Sequence, residues 1–561
     1  MSRITLLFGT LLALGAWLTP NHYLPWLAFH GELLMGLALG VALAGEFAQQ
    51  PRHPDRLSSL TLLTLLLAGI PLLQVATGLI RFAGDAWVVC TYLLAFALAQ
   101  VLGRRLLHRL GGAVLAEGLA VLFVAASLLS VGVQLYQWLR LSGLGVFAAD
   151  MPPWGTPFAN LAQHNHLATL LFLGLVGSLF LYEHRRIRGW AAAATILFLE
   201  AGMVMTGSRA AWLNVLLLTV VLCLSRRRLA LRLPLHAAPG LAVAMGVLVA
   251  AWGPLNDILL LSAGRTLAVQ AQVGPRPLFY ATMFDALAQR PWFGYGWNQG
   301  LIAQGQVLDA HPAAGRLMGS SHNLLLDLVV WNGVPLGLAL AGFMAWWLWR
   351  QWRACRGIPQ AFMLAAVVGV LVHAMLEYPL SYAYFLLPVG VMMGALDAAL
   401  PNPREYKVPR LALPAGAIAT GALLVLIVVD YVEVEANTRL LRFETARIGT
   451  SGIESQAPEL MMLTQWHEYL RFARIAPQPG MSEAEIDRMR RVVERFPYAS
   501  AQRKYALANA LNGQPDVARR TLDRMCKLHT ARNCAAELGA WVEQMRSQYP
   551  QLAAVPLPRR F

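Results

Sequence analysis

The chain has 561 residues, of which 57% are hydrophobic and 13% charged, with a formal net charge of +15. Soluble domains carry about 25% charged residues, so this composition and a mean hydropathy of +0.51 exclude an ordinary soluble protein and put most of the chain in lipid. The positive charge does not signal nucleic acid, because Lys and Arg fall in short loops between apolar runs and not along one binding face.

Apolar runs of about 20 residues, each long enough to span a bilayer, predict thirteen spans: 4–19, 32–48, 59–79, 86–103, 112–138, 164–182, 190–206, 209–225, 235–253, 323–349, 361–376, 382–399 and 410–430. The first has the basic start of a signal peptide. Thr19, Pro20 and Asn21 follow it in place of a small-residue cleavage site, so it reads as an uncleaved span. Basic clusters follow every even-numbered span: Arg52 and Arg56; Arg104, Arg105 and Arg109; Arg185, Arg186 and Arg188; Arg226, Arg227, Arg228 and Arg232; Arg350, Arg353 and Arg356; Arg404, Lys407 and Arg410. Positive loops mark the cytoplasmic side. The expected fold is therefore all-α, a polytopic membrane protein of about thirteen transmembrane helices with its N-terminus in the cytoplasm.

On this reading residues 1–430 form the transmembrane domain, with a large periplasmic loop over 254–321, and residues 431–561 form a periplasmic helical tail. In the tail, the stretch from Phe496 to Ala518 reads as one tetratricopeptide-type hairpin, within a small helical domain. Cys90, Cys223 and Cys355 lie in or beside spans without an evident partner. Cys526 and Cys534 sit where disulfides persist, and their spacing leaves pairing open.

Uncommon polar residues collect at the periplasmic ends of spans: Gln163, His164, Asn165 and His166; Arg209; Arg276; His322 and Asn323; Glu377 and Tyr378. Polar groups at membrane depth are costly and usually serve a site. Arginine offers a planar fork of donors for phosphate oxygens, which suits Arg209 and Arg276 to a lipid pyrophosphate. Histidine can take a hydroxyl proton near neutral pH, which makes His322 the candidate base. Bland readings stand beside these. Arg209 can simply anchor a span end, His322 and Asn323 can cap a helix, and His164 and His166 can sit in a wet interface. No Asp-x-Asp pair, His-Glu-x-x-His or Walker loop occurs, so neither metal nor cofactor is expected. Gly294-Tyr295-Gly296 reads as a turn.

Three segments resemble the O-antigen ligase and polymerase superfamily. They are Thr206-Gly-Ser-Arg-Ala-Ala-Trp, the stretch from Arg276 through Tyr280 to Pro291-Trp-Phe-Gly-Tyr-Gly, and Ser321-His-Asn-Leu-Leu-Leu-Asp ending in Trp331-Asn-Gly-Val-Pro-Leu-Gly. Three more resemble its protein O-oligosaccharyltransferase (PglL-type) branch: Asn21 to Glu32, Gln163-His-Asn-His-Leu-Ala-Thr, and Glu377-Tyr-Pro-Leu-Ser-Tyr-Ala-Tyr-Phe-Leu-Leu. The resemblance implies an undecaprenyl-pyrophosphate-linked oligosaccharide as donor and a hydroxyl of an exported, pilin-like protein as acceptor. It implies metal-independent transfer with inversion, in the bacterial inner membrane, with membrane lipid as the surroundings and no nucleic acid. It carries the essential histidine, glutamine and tyrosine onto His322, Gln163 and Tyr378, and the pyrophosphate-binding arginines onto Arg209 and Arg276. Glu377, His166 and Asn323 are expected beside them. The family often has Pro-Asn-His after the glutamine, where this chain has His164-Asn165-His166. The rivals are an O-antigen ligase or polymerase, whose acceptor is a sugar, and a lipid-glycan transporter.

Overall fold

A computed structural model describes residues 2–49, 56–152, 155–261, 274, 276–446 and 456–558. Twenty α-helices run through the described residues. The first nine are α1 (Ser2–Leu18), α2 (Phe29–Phe47), α3 (Ser59–Ala76), α4 (Ala83–Leu110), α5 (Gly112–Trp138), α6 (His164–Glu183), α7 (Gly189–Met205), α8 (Arg209–Leu229) and α9 (Ala237–Ile258). Two shorter helices, α10 (Arg276–Gln289) and α11 (Gly300–Val307), precede α12 (Leu324–Ala354), α13 (Ile358–Ala374), α14 (Ala383–Ala398) and α15 (Ala412–Ala446). The tail adds α16 (Thr464–Arg474), α17 (Glu483–Arg495), α18 (Ala499–Leu511), α19 (Pro515–Leu528) and α20 (Ala531–Ser547). Every predicted span coincides with one of these helices. Eight are long and apolar enough to cross a membrane (α3, α4, α5, α6, α8, α9, α12 and α15), and α1, α7, α13 and α14 are shorter apolar helices. The chain is a polytopic all-α membrane protein.

Three local features were not visible in the apolar pattern. Residues Arg56–Ser58 (β1) and Glu405–Lys407 (β2) pair antiparallel, Arg56 opposite Lys407, and Glu405 receives both Arg56 and Arg104. Although burial pushes the Glu405 pKa up, Arg104 and Arg56 bring it below the ordinary value. The tenth span is broken: Gly333 within α12 has φ 81° and ψ 167°. The helix of the last predicted span does not stop near residue 430: α15 continues to Ala446. Asp430, on that helix, accepts from the backbone amides of Met462 (2.6 Å) and Leu463 (2.9 Å), just before α16.

The chain divides into two compact units. The first comprises Met1–Leu67, Tyr92–Gln272 and Met344–Ala422. Its core is α6, buried from His166 to Leu181. A helix apolar all round belongs inside a bundle, and α6 packs against α5, α7 and α13.

The second unit comprises Ala68–Thr91, Val273–Phe343 and Leu423–Phe561. The α18–α19 pair forms the predicted hairpin, turning at Asn512 and at Gly513, whose φ of 77° suits glycine. Cys526 on α19 and Cys534 on α20 form a disulfide. Cys90, Cys223 and Cys355 are free thiols. Phe82, from the α3–α4 connection, packs in one core with Phe472, Met489, Val492 and Phe496 of the tail. Beside it Arg495 forks onto Asp85, with both contacts at 2.7 Å. Burial works against the Arg495 charge, but Asp85 outweighs it and the pKa rises. Losing one partner of so buried a pair costs about 3–5 kcal/mol.

Candidate active site

In the first unit the Gln163 and Glu377 segments come together. Gln163 is the N-cap of α6, its Oε1 accepting from the His166 amide at 2.8 Å. That cap occupies the carbonyl oxygen and leaves the amide NH2 as a donor. Asn165 donates to Glu377 at 3.2 Å. His166 is 2% exposed, and its Nδ1 lies 2.8 Å from the Tyr384 hydroxyl. Its ring meets Tyr382 at 4.4 Å and His373 at 5.8 Å. His373 bonds Thr169 at 2.7 Å through Nδ1. Tyr378 stacks on Tyr382 at 6.0 Å. Burial first, then Glu377, raises the Tyr378 pKa, so its hydroxyl stays protonated and can donate across the working range.

Composition and motif left several members of this cluster without a role. His373 stands outside every motif, and Thr169, Tyr382 and Tyr384 lie inside the family-like segments without a role of their own. Glu32 was likewise only the end of a motif. It is 6% exposed, accepts from Trp26 at 3.4 Å and sits near Tyr382. The available signal was an acid inside an otherwise apolar span. His22 takes a packing role, its two ring nitrogens at the carbonyls of Leu27 and Asn160.

Arg209 belongs to the same unit and opens α8. Gly207 turns with φ 61°, and Thr206 Oγ1 accepts the Ser208 amide at 3.2 Å, so the Thr-Gly-Ser turn delivers Arg209 to the first helical position. Arg209 is exposed there. Arginine at a helix N-terminus runs against the helix dipole, while an anion at the same place is favoured by both.

In the second unit Arg276 begins α10, and Phe279, one turn on, lies 5.9 Å ring to ring from His322. One helix thus brings the arginine segment to the histidine. His322 adopts φ 57°, a left-handed conformation that costs a side-chain-bearing residue about 1 kcal/mol or more. The turn is held by Asp327: Ser320 donates to it at 2.6 Å, the Ser321 amide at 2.7 Å, and Ser320 Oγ in turn accepts the His322 amide at 3.0 Å. Asn323 Oδ1 accepts the Leu325 and Leu326 amides at 3.1 Å, which makes it the cap of α12. Asp327 was only the last letter of a motif, yet it fixes the loop that presents His322.

The break at Gly333 explains why two distant motifs travel together. The amides of Tyr295 and Gly296 donate to the carbonyls of Val330 and Trp331, at 2.9 and 3.1 Å, and the Val334 amide donates to Pro291 at 2.7 Å. Gln74 adds a bond to the Trp331 carbonyl at 3.0 Å. A Cβ on Gly333 would stand 2.2 Å from the Trp292 carbonyl oxygen. Gly294-Tyr295-Gly296 is the predicted turn, with φ of 67° and 97° at its glycines.

Motif order and the family models that match define a class, the O-antigen ligases and polymerases. A family model described as O-antigen ligase matches residues 191–341, one described as protein glycosylation ligase matches 157–182, and one described as virulence factor membrane-bound polymerase, C-terminal, matches 361–540. Over 546 residues, 94% of this chain and 93% of the relative, the sequence is 31% identical to the general O-oligosaccharyltransferase of Acinetobacter baylyi. It is 26% identical to that organism's ComP-specific O-oligosaccharyltransferase over 329 residues, 58% of this chain and 59% of the relative. The chain belongs to the O-oligosaccharyltransferase family, glycosyltransferase-type enzymes of the PglL kind.

Proposed function

We propose that the protein transfers a preassembled glycan from undecaprenyl pyrophosphate to serine or threonine hydroxyls of exported proteins such as pilins. The reaction takes place on the periplasmic face of the bacterial inner membrane, where the odd-numbered connections and the tail lie. The observation that carries this reading is the end-to-end similarity to a general O-oligosaccharyltransferase.

The mechanism follows from the residues. Arg209 and Arg276 hold the pyrophosphate and stabilise the charge that develops as the glycosidic C–O bond breaks. His322 accepts the proton of the acceptor hydroxyl while its oxygen bonds the anomeric carbon from the opposite face, inverting it. The electron pair leaves with undecaprenyl pyrophosphate, so no metal is needed. The amide NH2 of Gln163 and the Tyr378 hydroxyl, with Glu377, orient glycan or acceptor. Residues 276–321 of the 254–321 connection cover the glycan and limit hydrolysis, residues 262–273 and 275 lying outside the described residues, and the tail docks the acceptor protein.

A second reading draws support from the family descriptions that name an O-antigen ligase and a polymerase: the acceptor would then be a sugar. The deciding experiment expresses the chain in a host making a known undecaprenyl-linked glycan, with and without a pilin. Glycan is scored on protein and on lipid A core. Histidine-dependent pilin modification, lost in His322→Ala, is the expected result; modification of lipid A core alone would overturn the protein-acceptor reading.

A further inference from the structure

The second unit contains a cleft unrelated to the residues above. The α3–α4 connection forms one wall and the tail helices α16 and α17 the other, enclosing about 790 Å³. Arg81 lines it from the connection, Arg488, Arg490 and Arg491 from α17, and Glu468 from α16. The charges do not balance. Arg81 pairs with Glu494, Arg490 with Asp487 and Glu494, and Arg491 with Asp487. Asp487 and Glu494 thus serve three of the four guanidiniums, and Glu468 is the third carboxylate. Arg488 makes no hydrogen bond or ion pair among the described residues, Glu485 acting on it only through space. Burial, and next the like charges of Arg490 and Arg491, pull the Arg81 pKa down, with Asp487 opposing.

The cleft's position selects the anion that would relieve this excess. Both α3 and α4 are apolar enough to cross a membrane, and only residues 77–82 join them. Arg81 consequently lies at a membrane surface, at the level of lipid headgroups. Guanidinium forks match phosphate oxygens in charge and geometry.

We propose that this cleft binds the phosphate of an anionic phospholipid headgroup and so moors the tail to the bilayer. The proposal rests on the multi-pass fold and not on the glycosyl-transfer reading, so either can fail without the other.

The test uses the full-length chain purified in detergent, offered phosphatidylglycerol or phosphatidylcholine, with retained lipid counted by native mass spectrometry. Phosphatidylglycerol should be retained in preference, and the double variant Arg488→Gln/Arg491→Gln should lower its retention on the order of ten-fold at low salt. Arg532→Gln, elsewhere on the tail, should change nothing. If the double variant folds poorly, as judged by loss of the Cys526–Cys534 disulfide, Arg488→Lys/Arg491→Lys should fold and still show a reduced preference. Equal retention by wild type and folded variants would overturn the proposal, as would equal retention of the two lipids. Arginine-dependent binding of only undecaprenyl pyrophosphate, or only a glutamate-rich peptide, would also overturn it.

Discussion

His166 and His322 are the same residue type in two differently finished surroundings. His166 is 2% exposed, bonded to Tyr384 and ringed by Tyr382, His373 and Phe385. His322 is half-buried, at a left-handed turn that Asp327 clamps through Ser320 and Ser321. The first arrangement uses the imidazole to complete a core. The second spends backbone strain and a buried carboxylate to hold an imidazole at a chosen place, which is the pattern of a working residue. Neither motif spacing nor composition separates the two histidines; burial and backbone conformation do.

The sharpest way to break this contrast is His322→Ala, which should lower transfer about 100- to 10,000-fold while protein yield and the far-ultraviolet spectrum stay unchanged. A His166→Ala protein should instead lose yield and thermal stability first. Next in size is Arg276→Lys, for which we expect on the order of a 100-fold fall in kcat/KM, because a point charge does not replace the fork. Asp327→Ala should cost about ten-fold in kcat with little change in KM, by releasing the His322 turn. Tyr384→Phe should remove about 1 kcal/mol of stability and leave transfer per folded molecule within a few-fold of wild type.

The smallest effect lies in the tail. Lys504 donates to the Phe472 and Ala473 carbonyls, and burial, aided by Arg503, pushes its pKa down to about 8. Above that pH the folded tail holds fewer protons than the unfolded one, whose lysine titrates near its ordinary value. The cost of the buried charge is therefore fully present below pH 8 and disappears as pH rises toward 10. A tail melting transition, followed in the full chain, should move upward over that window, and Lys504→Met should flatten the slope.

Much of this was legible in the sequence because lipid imposes a simple code. Apolar length located a helix at each of the thirteen predicted spans, eight of them long and apolar enough to cross a membrane, and the Thr206 and Ser321 segments marked the turns that carry Arg209 and His322. What was missed follows from the same code. Thr169 and His373 lie inside apolar windows that average them away, and their bond joins helices 204 residues apart. Asp430 marked the expected end of a span, whereas its carboxylate clasps the start of the tail on a helix that runs on to Ala446. Asn-Gly-Val-Pro at residues 332–335 was read as part of a signature, but a positive-φ glycine before a proline is also a helix break. The bonds from residues 291–296 and from Gln74 show what fills the gap.

That filled gap has an electrical consequence. A helix interrupted inside a bilayer leaves polar main-chain groups that draw in water, and a file of water conducts protons. Here Tyr295, Gly296 and Gln74 satisfy the carbonyls of Val330 and Trp331, and Pro291 takes the amide of Val334. With those main-chain groups partnered, the interruption offers few open sites on which such a file of water could assemble.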